Sequence, residues 1–287
     1  MKLAIASGKG GTGKTTIATN LAVTLAETNG QVQLLDCDAE EPNAHLFLNP
    51  VGTASRTVES LVPQIDAEKC NLCAKCVEVC AYSALATAGG QVLLFPEMCH
   101  GCGGCARFCP KQAIEEVTRP IGAVLNAQVS ELELVWGKAH IGLPLVPAVI
   151  AEVKKMARPE ATVIIDAPPG TSCAAVAAIT DCDLCLLVTE PTAFGLHDLM
   201  LATEMARELN LPSAVIINRS DLGDERVRAY CQDNSLPILL EIPFSRKLAA
   251  CYARGQLWVR EYPEWRAAFT GLWKRIEEYA HERAIGN

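Results

Sequence analysis

The sequence predicts an α/β fold in which a mostly parallel sheet is flanked by helices and interrupted by a small cysteine-rich α+β module. Three observations carry this expectation. Strand-length apolar runs alternate with helix-length segments at both ends of the chain, a glycine-rich turn separates the first strand from the first helix, and eight of the fourteen cysteines crowd into residues 65–118. With 287 residues, half of them hydrophobic, the chain is long enough to bury a substantial core without help from metals or disulfides. The formal charge of −8 argues against a broad basic surface, so nucleic acid is not an expected partner. No apolar run approaches the ~18 residues of a membrane span. Lys2 is followed almost at once by the glycine run at Gly8 with no leader ahead of it, so the expected compartment is a reducing cytoplasm. There, cysteines serve metals more readily than disulfides.

The elements follow in order. Residues 3–6 read as a strand, 14–27 as a helix and 33–36 as a second strand, a βαβ opening that implies parallel pairing. After residue 120 the alternation resumes, with strands expected at 130–135, 162–165, 184–188, 214–217 and 238–240. Helices are expected at 144–156, 192–209 and 224–234. The parent domain is therefore 1–64 plus 119–287, and residues 65–118 form an insert. Near the end, Trp265, Phe269, Leu272, Ile276 and Tyr279 recur at helical spacing, and acids mix with bases off that stripe, which favours docking on the sheet over lipid binding.

Gly8-Lys9-Gly10-Gly11-Thr12-Gly13-Lys14-Thr15 matches the phosphate-loop pattern and stands between a strand and a helix, as that pattern requires. Backbone amides and the helix N-terminus would hold polyphosphate, Lys14 would reach the β and γ phosphates, and Thr15 would offer its hydroxyl to Mg²⁺. Asp38, after the second strand, and Asp166, ending a later one, place carboxylates at the C-terminal rim of the sheet, where ligands of such folds sit. Asp166 is the expected Mg²⁺ carboxylate; Asp38 is expected to orient water and to join the Mg²⁺ set. Gly170 is expected to supply an amide near the γ phosphate. The loop, with Lys9 ahead of Gly10-Gly11-Thr12-Gly13-Lys14-Thr15-Thr16, resembles the deviant Walker A loop of the MinD/ParA/Mrp group of P-loop ATPases, which includes the nitrogenase iron protein. That resemblance implies ATP/ADP as ligands and an ATP-dependent dimer, either with itself or with a related ATPase, in which Lys9 reaches the phosphates held by the other subunit. It also implies that Asp36 and Asp38 belong to a first switch region and Asp166 with Gly170 to a second. Asn218-Arg219 would lie at the adenine, with Pro243 and Phe244 on the base-side loop.

Within the insert, Cys70-x2-Cys73-x2-Cys76-x3-Cys80 recurs 29 residues later as Cys99-x2-Cys102-x2-Cys105-x3-Cys109-Pro110. This register suits two [4Fe-4S] clusters, three cysteines of one run joining the fourth of the other. One set is Cys70, Cys73, Cys76 and Cys109; the second is Cys99, Cys102, Cys105 and Cys80. The module resembles a bacterial two-cluster ferredoxin. Structural zinc is the competing reading of such spacings. His100 is expected to be exposed or hydrogen-bonded. Cys182 and Cys185 are expected to pack as small apolar groups, and Cys173 to pack at a helix start. The whole predicts a Mg²⁺-dependent ATPase whose nucleotide state gates electron transfer to, or association with, a redox or scaffold protein. A positioning ATPase with redox-sensing clusters and an Fe–S carrier resembling Mrp proteins are the alternatives.

Overall fold

The computed structural model describes residues 1–285. Eleven strands organise it: β1 (Lys2–Ala6), β2 (Val32–Asp36), β3 (Ala54–Ile65), β4 (Leu85–Ala88), β5 (Gln91–Leu94), β6 (Ile114–Val129), β7 (Leu132–Ala139), β8 (Thr162–Asp166), β9 (Leu184–Thr189), β10 (Ser213–Asn218) and β11 (Ile238–Ile242). Nine of them form one sheet in the order β11-β10-β9-β1-β8-β2-β7-β6-β3, and β4 with β5 form a separate hairpin. From β11 to β7 all neighbours run parallel; β6 and β3 add an antiparallel edge. The central strands β2 and β9 are buried along their whole length because helices cover both their faces.

The helices are α1 (Lys14–Asn29), α2 (Ala44–Leu48), α3 (Lys75–Glu78), α4 (Gly104–Arg107), α5 (Val146–Lys154), α6 (Cys173–Ile179), α7 (Ala193–Glu208), α8 (Arg226–Asp233), α9 (Arg246–Ala253), α10 (Trp258–Glu261) and α11 (Pro263–Ile285). One core lies between the sheet and α1, α2, α9, α10 and α11; the other lies between its opposite face and α5 to α8. In α11, Phe269, Leu272 and Ile276 are fully buried, and the Tyr279 hydroxyl donates to the Ser213 carbonyl at 3.1 Å, so the terminal apolar stripe docks on the body. Among the described residues no helix is long and apolar enough to cross a membrane.

The expected strand at 130–135 is displaced. Ser130 occupies the left-handed turn of the β6–β7 hairpin (φ 53°), and the strand runs from Leu132 to Ala139. Sequence reading also missed β3 and the body of β6, whose polar residues and prolines, Pro63 and Pro120, disguise two long strands. Their pairing runs from Ala54 opposite Asn126 to Ile65 opposite Ile114, and the expected insert boundaries at 65 and 118 fall inside these strands, with no linker between. The register shifts where Val58 faces Gly122 but Glu59 faces Pro120, leaving Ile121 as an extra, buried residue. Beyond this bulge β6 has left β7, so residues 59–65 and 114–120 form a two-stranded ribbon that carries the cysteine segment.

Candidate functional site

The first glycine turn wraps the N-terminus of α1. Gly13 caps the helix in a left-handed conformation (φ 103°), and its α-carbon lies so close to the Asn218 amide that a side chain there would collide with it. Lys14 is buried, with Nζ 3.0 Å from the Ser7 hydroxyl. Burial holds its pKa below the ordinary lysine value, while Asp166 and Asp38 oppose that shift. Gly10, Gly11, Gly13, Lys14, Thr15, Thr16, Asp38, Asn218, Arg219, Pro243 and Phe244 all line one open cleft of about 480 Å³. Its far wall is apolar, from Ile242, Leu248, Tyr252 and Trp258, as a base-sized ring requires beside a polar phosphate end.

Three carboxylates surround the lysine end. Asp36 is fully buried and accepts from the backbone amides of Asp38, Asn43 and Ala44, which pins the loop between β2 and α2; burial still pushes its pKa up to about 7. Asp38 is pushed up to about 6, again by burial, with Lys14 pulling it down. Asp166 is fully buried beneath the cleft and raised well above the ordinary carboxylate range by burial and by Asp36, while Thr15 and Lys14 pull the other way. Apart from the nearby Thr15 hydroxyl, neither Asp166 oxygen has a hydrogen-bond partner among the described residues. An orphaned buried carboxylate beside a threonine is what a hard divalent cation with oxygen ligands fits.

Several expected residues have other placements. Gly8 does not line the cleft; it packs against the Asp198 carbonyl. Thr12 is buried, with its carbonyl accepting from Asn218 Nδ2 at 2.8 Å, so the Asn218 amide fastens the loop as well as facing the cleft. The Gly170 amide is spent on the Ser7 carbonyl at 2.9 Å. Lys9 lies outside the cleft, 3.7 Å from the Glu190 carboxylate, whose other oxygen accepts from Arg219 at 2.6 Å. The expected packing of Cys173 is overturned: as the first residue of α6, directly after the Ser172 cap, it is exposed, because that end of the helix lies outside the apolar core. Cys185 is buried, as expected, and Cys182 is partly buried.

The eight cysteines of the double run fall into two groups. Cys70, Cys73, Cys76 and Cys109 line one cavity; Cys80, Cys99, Cys102 and Cys105 line another. Backbone geometry repeats with the sequence. Leu72, Ala74 and Ser83 have φ of 60°, 58° and 53°, and Gly101, Gly103 and Gln112, 29 positions on, have 65°, 71° and 49°. Helices α3 and α4 are related by the same offset. The Ala84 and Ala113 amides donate to the Cys80 and Cys109 sulfurs, both at 3.3 Å, and the Gly101 amide to Cys99 at 3.5 Å. Among the described residues no three His, Cys, Asp or Glu groups converge on a single-ion site; the thiols are ranged around cavities instead. His100 is partly buried and stacks on Tyr82 with ring centres 3.8 Å apart.

A family model described as the CobQ/CobB/MinD/ParA nucleotide binding domain matches residues 3–258. This chain belongs to that family. Two uncharacterized proteins of Methanocaldococcus jannaschii are 29% and 30% identical to this MinD/ParA-type chain, over 98% and 88% of its length and 97% and 90% of theirs. An iron-sulfur cluster carrier protein of Aquifex aeolicus is 24% identical over 91% of this chain and 62% of its own. The septum site-determining protein MinD of Pyrococcus horikoshii, complexed with Mg-ADP, superposes with a TM-score of 0.62 at 22% identity, covering 97% of this chain and 96% of that one, which shows a shared fold.

For a chain of the MinD/ParA family, sequence reasoning missed the apolar wall from Leu248, Tyr252 and Trp258, and also Glu41 and Asn43 on the β2–α2 loop. Ser245, whose hydroxyl accepts from the Leu248 amide and caps α9, was the one local signal for that wall. Glu190 left no signal, because its partners lie far away in sequence.

Proposed function

We propose that this chain is a Mg²⁺-dependent ATPase carrying two [4Fe-4S] clusters, in which nucleotide state governs electron transfer or association with a redox partner. The observation that carries the reading is the sorting of eight thiols into two crossed sets of four around separate cavities, on a ribbon rooted in the nucleotide-binding sheet. Lys14 and the amides of residues 10–15 neutralise the phosphates; Thr15 and Asp166 hold Mg²⁺, with Asp38 near it; Asp38 orients the attacking water. Mg²⁺, when bound, adds positive charge against the transferring phosphoryl group. Lys9, released from Glu190, completes the nucleotide site of a second copy or of a related ATPase. Within the lobe, Cys70, Cys73, Cys76 and Cys109 would hold one cluster and Cys80, Cys99, Cys102 and Cys105 the other. Bound clusters supply one-electron chemistry.

The test is anaerobic preparation followed by iron and sulfide counting, EPR and an ATPase assay. The reading expects two cubanes' worth of iron and sulfide and Mg²⁺-dependent phosphate release; zinc without sulfide overturns it. The Aquifex relative's name favours a second reading as a cluster carrier. Iron lost from this chain and gained by an apo-acceptor supports that reading, whereas reversible bleaching with iron retained supports redox work.

A further inference from the structure

The two cysteine runs are equivalent in sequence but are held differently. Leu72, in the first run, is 41% exposed. Its counterpart Gly101 is pressed onto the ribbon: a side chain there would meet the Ser60 hydroxyl and the Leu61 carbonyl at 2.6 and 2.8 Å. Beside this contact, Arg119 on β6 donates from Nη2 to the Cys99 carbonyl at 3.2 Å, and its Nε is buried with no partner among the described residues. The repeat puts Gly90 at the matching position of the first run, so no arginine reaches a ligand carbonyl there; the cation beside the first cavity is Lys111, at its lining. Its lining instead reaches Ile65 and Ile114, at the far end of the ribbon.

Arg119 also stands one residue from Pro120, at the bulge where the ribbon leaves the body. Ile121, the bulged residue, accepts from the His140 amide at 2.8 Å, and the Ala139 amide donates to the Ala39 carbonyl at 2.7 Å. Ala39 adjoins Asp38 in the cleft. A chain of strand pairing and hydrogen bonds therefore runs from the nucleotide carboxylates through the end of β7 and the bulge to the Cys99 carbonyl.

We propose that Arg119 is a positioning residue for the cluster held by Cys80, Cys99, Cys102 and Cys105, and that nucleotide state reaches this cluster and not the one at the ribbon tip. The proposal rests on the two-cluster reading above. The Arg119 guanidinium, standing behind the cavity wall and acting through the Cys99 carbonyl, favours the more negative, reduced cluster and offsets the Glu116 carboxylate that lines that cavity. A shift of the Asp38–Ala39 backbone on nucleotide exchange moves the bulge and with it that guanidinium. Cys73 and Cys102 are both exposed, but the tip cluster has the exposed Leu72 beside it where the other has Gly101 pressed on the ribbon, and it is then the port through which a partner exchanges electrons.

The experiment is an EPR-monitored redox titration of the anaerobic full chain with ADP and with a non-hydrolysable ATP analogue. Signals are assigned by Cys102→Ser and its equivalent Cys73→Ser. In the unaltered chain one potential, that of the Cys102 cluster, should differ between the two nucleotides. Arg119→Leu should lower that potential by a tenfold change in the one-electron equilibrium, about 59 mV, and abolish its nucleotide dependence. Arg119→Lys, which keeps the charge but not the planar fork, should keep most of the potential and lose the nucleotide dependence. An Arg119→Leu protein with full iron and an unchanged nucleotide-dependent shift overturns the proposal, as does a shift confined to the Cys73 cluster. Should Arg119→Leu lose its second cluster, Arg119→Lys decides. A chain that never holds iron and sulfide defeats the cluster reading itself, a separate and recognisable failure.

Discussion

The nucleotide body and the cysteine lobe are built on opposite terms. The body has two continuous cores, one on each face of the sheet, with Leu3, Ile5, Leu34 and Phe269 fully buried in one and Leu35, Val149 and Ile150 in the other. The lobe has two small clusters, Val62, Ala84 and Cys99 in one and Cys76, Leu85 and Ile114 in the other, in which cysteines stand where leucines would otherwise be. A body of the first kind folds on apolar burial. A lobe of the second kind draws its stability from what its thiolates bind, because a segment of about 50 residues with so little core is marginal alone. On the proposed reading, folding and cluster loading are one event in the lobe, whereas the body folds without either cluster.

The largest effect that follows concerns this contrast. Cys76→Ser, or iron removal by chelation, should abolish measurable hydrogen-exchange protection across 66–113 and leave β1, β8 and α1 protected. Equal loss in both regions would break the comparison. In the body, Lys14→Ala should reduce hydrolysis about 1,000-fold and weaken nucleotide binding, whereas Lys9→Ala should reduce hydrolysis about 100-fold with nucleotide still bound. Calorimetry beside the ATPase assay separates the two, and the lobe's visible spectrum should not change in either variant.

A smaller effect attaches to Glu190, which holds Lys9 and Arg219 together. Glu190→Gln should loosen Lys9, so that hydrolysis reaches half its maximum at roughly fivefold lower protein concentration, the worth of about 1 kcal/mol. No change in that concentration dependence contradicts a parked lysine.

An effect of similar size is on stability. Asp36 and Asp38 have folded-state pKa values of about 7 and about 6, raised by burial above their unfolded values. The folded chain therefore binds protons more tightly than the unfolded one, and the stability this contributes is present below about pH 4 and lost as pH rises through 6 to 7. Asp38→Asn should accordingly stabilise the nucleotide-free chain at pH 8 by about 1–2 kcal/mol, allowing for solvent screening, and have little effect near pH 4. Mg²⁺ should narrow the gap at pH 8. Thermal melts at the two pH values check the sign.

Legibility in the sequence followed the range of the interaction. The glycine turn, the central strands and the 29-residue cysteine offset are local patterns, and each could be read from neighbouring residues. Chain-end helix α11 was readable for the same reason, from the spacing of Phe269, Leu272 and Ile276. The ribbon was not, because β3 and β6 bury little of their length and owe their form to each other: Ser55 opposite Leu125, or Gln64 opposite Glu115, carries no alternation to recognise. Glu190 and Arg119 act on partners 20 or more residues away through single contacts that no recurring motif marks. The exposure of Cys173 was misjudged because a cysteine at a helix start looks the same in sequence whether that end faces in or out.

The central claim is that occupancy of the phosphate cleft is felt at the cysteine lobe. Its most direct test is the pair of midpoint potentials of the unaltered, iron-loaded chain, measured with ADP and again with a non-hydrolysable ATP analogue. One potential displaced and the other constant is the predicted result; two potentials indifferent to nucleotide contradict it.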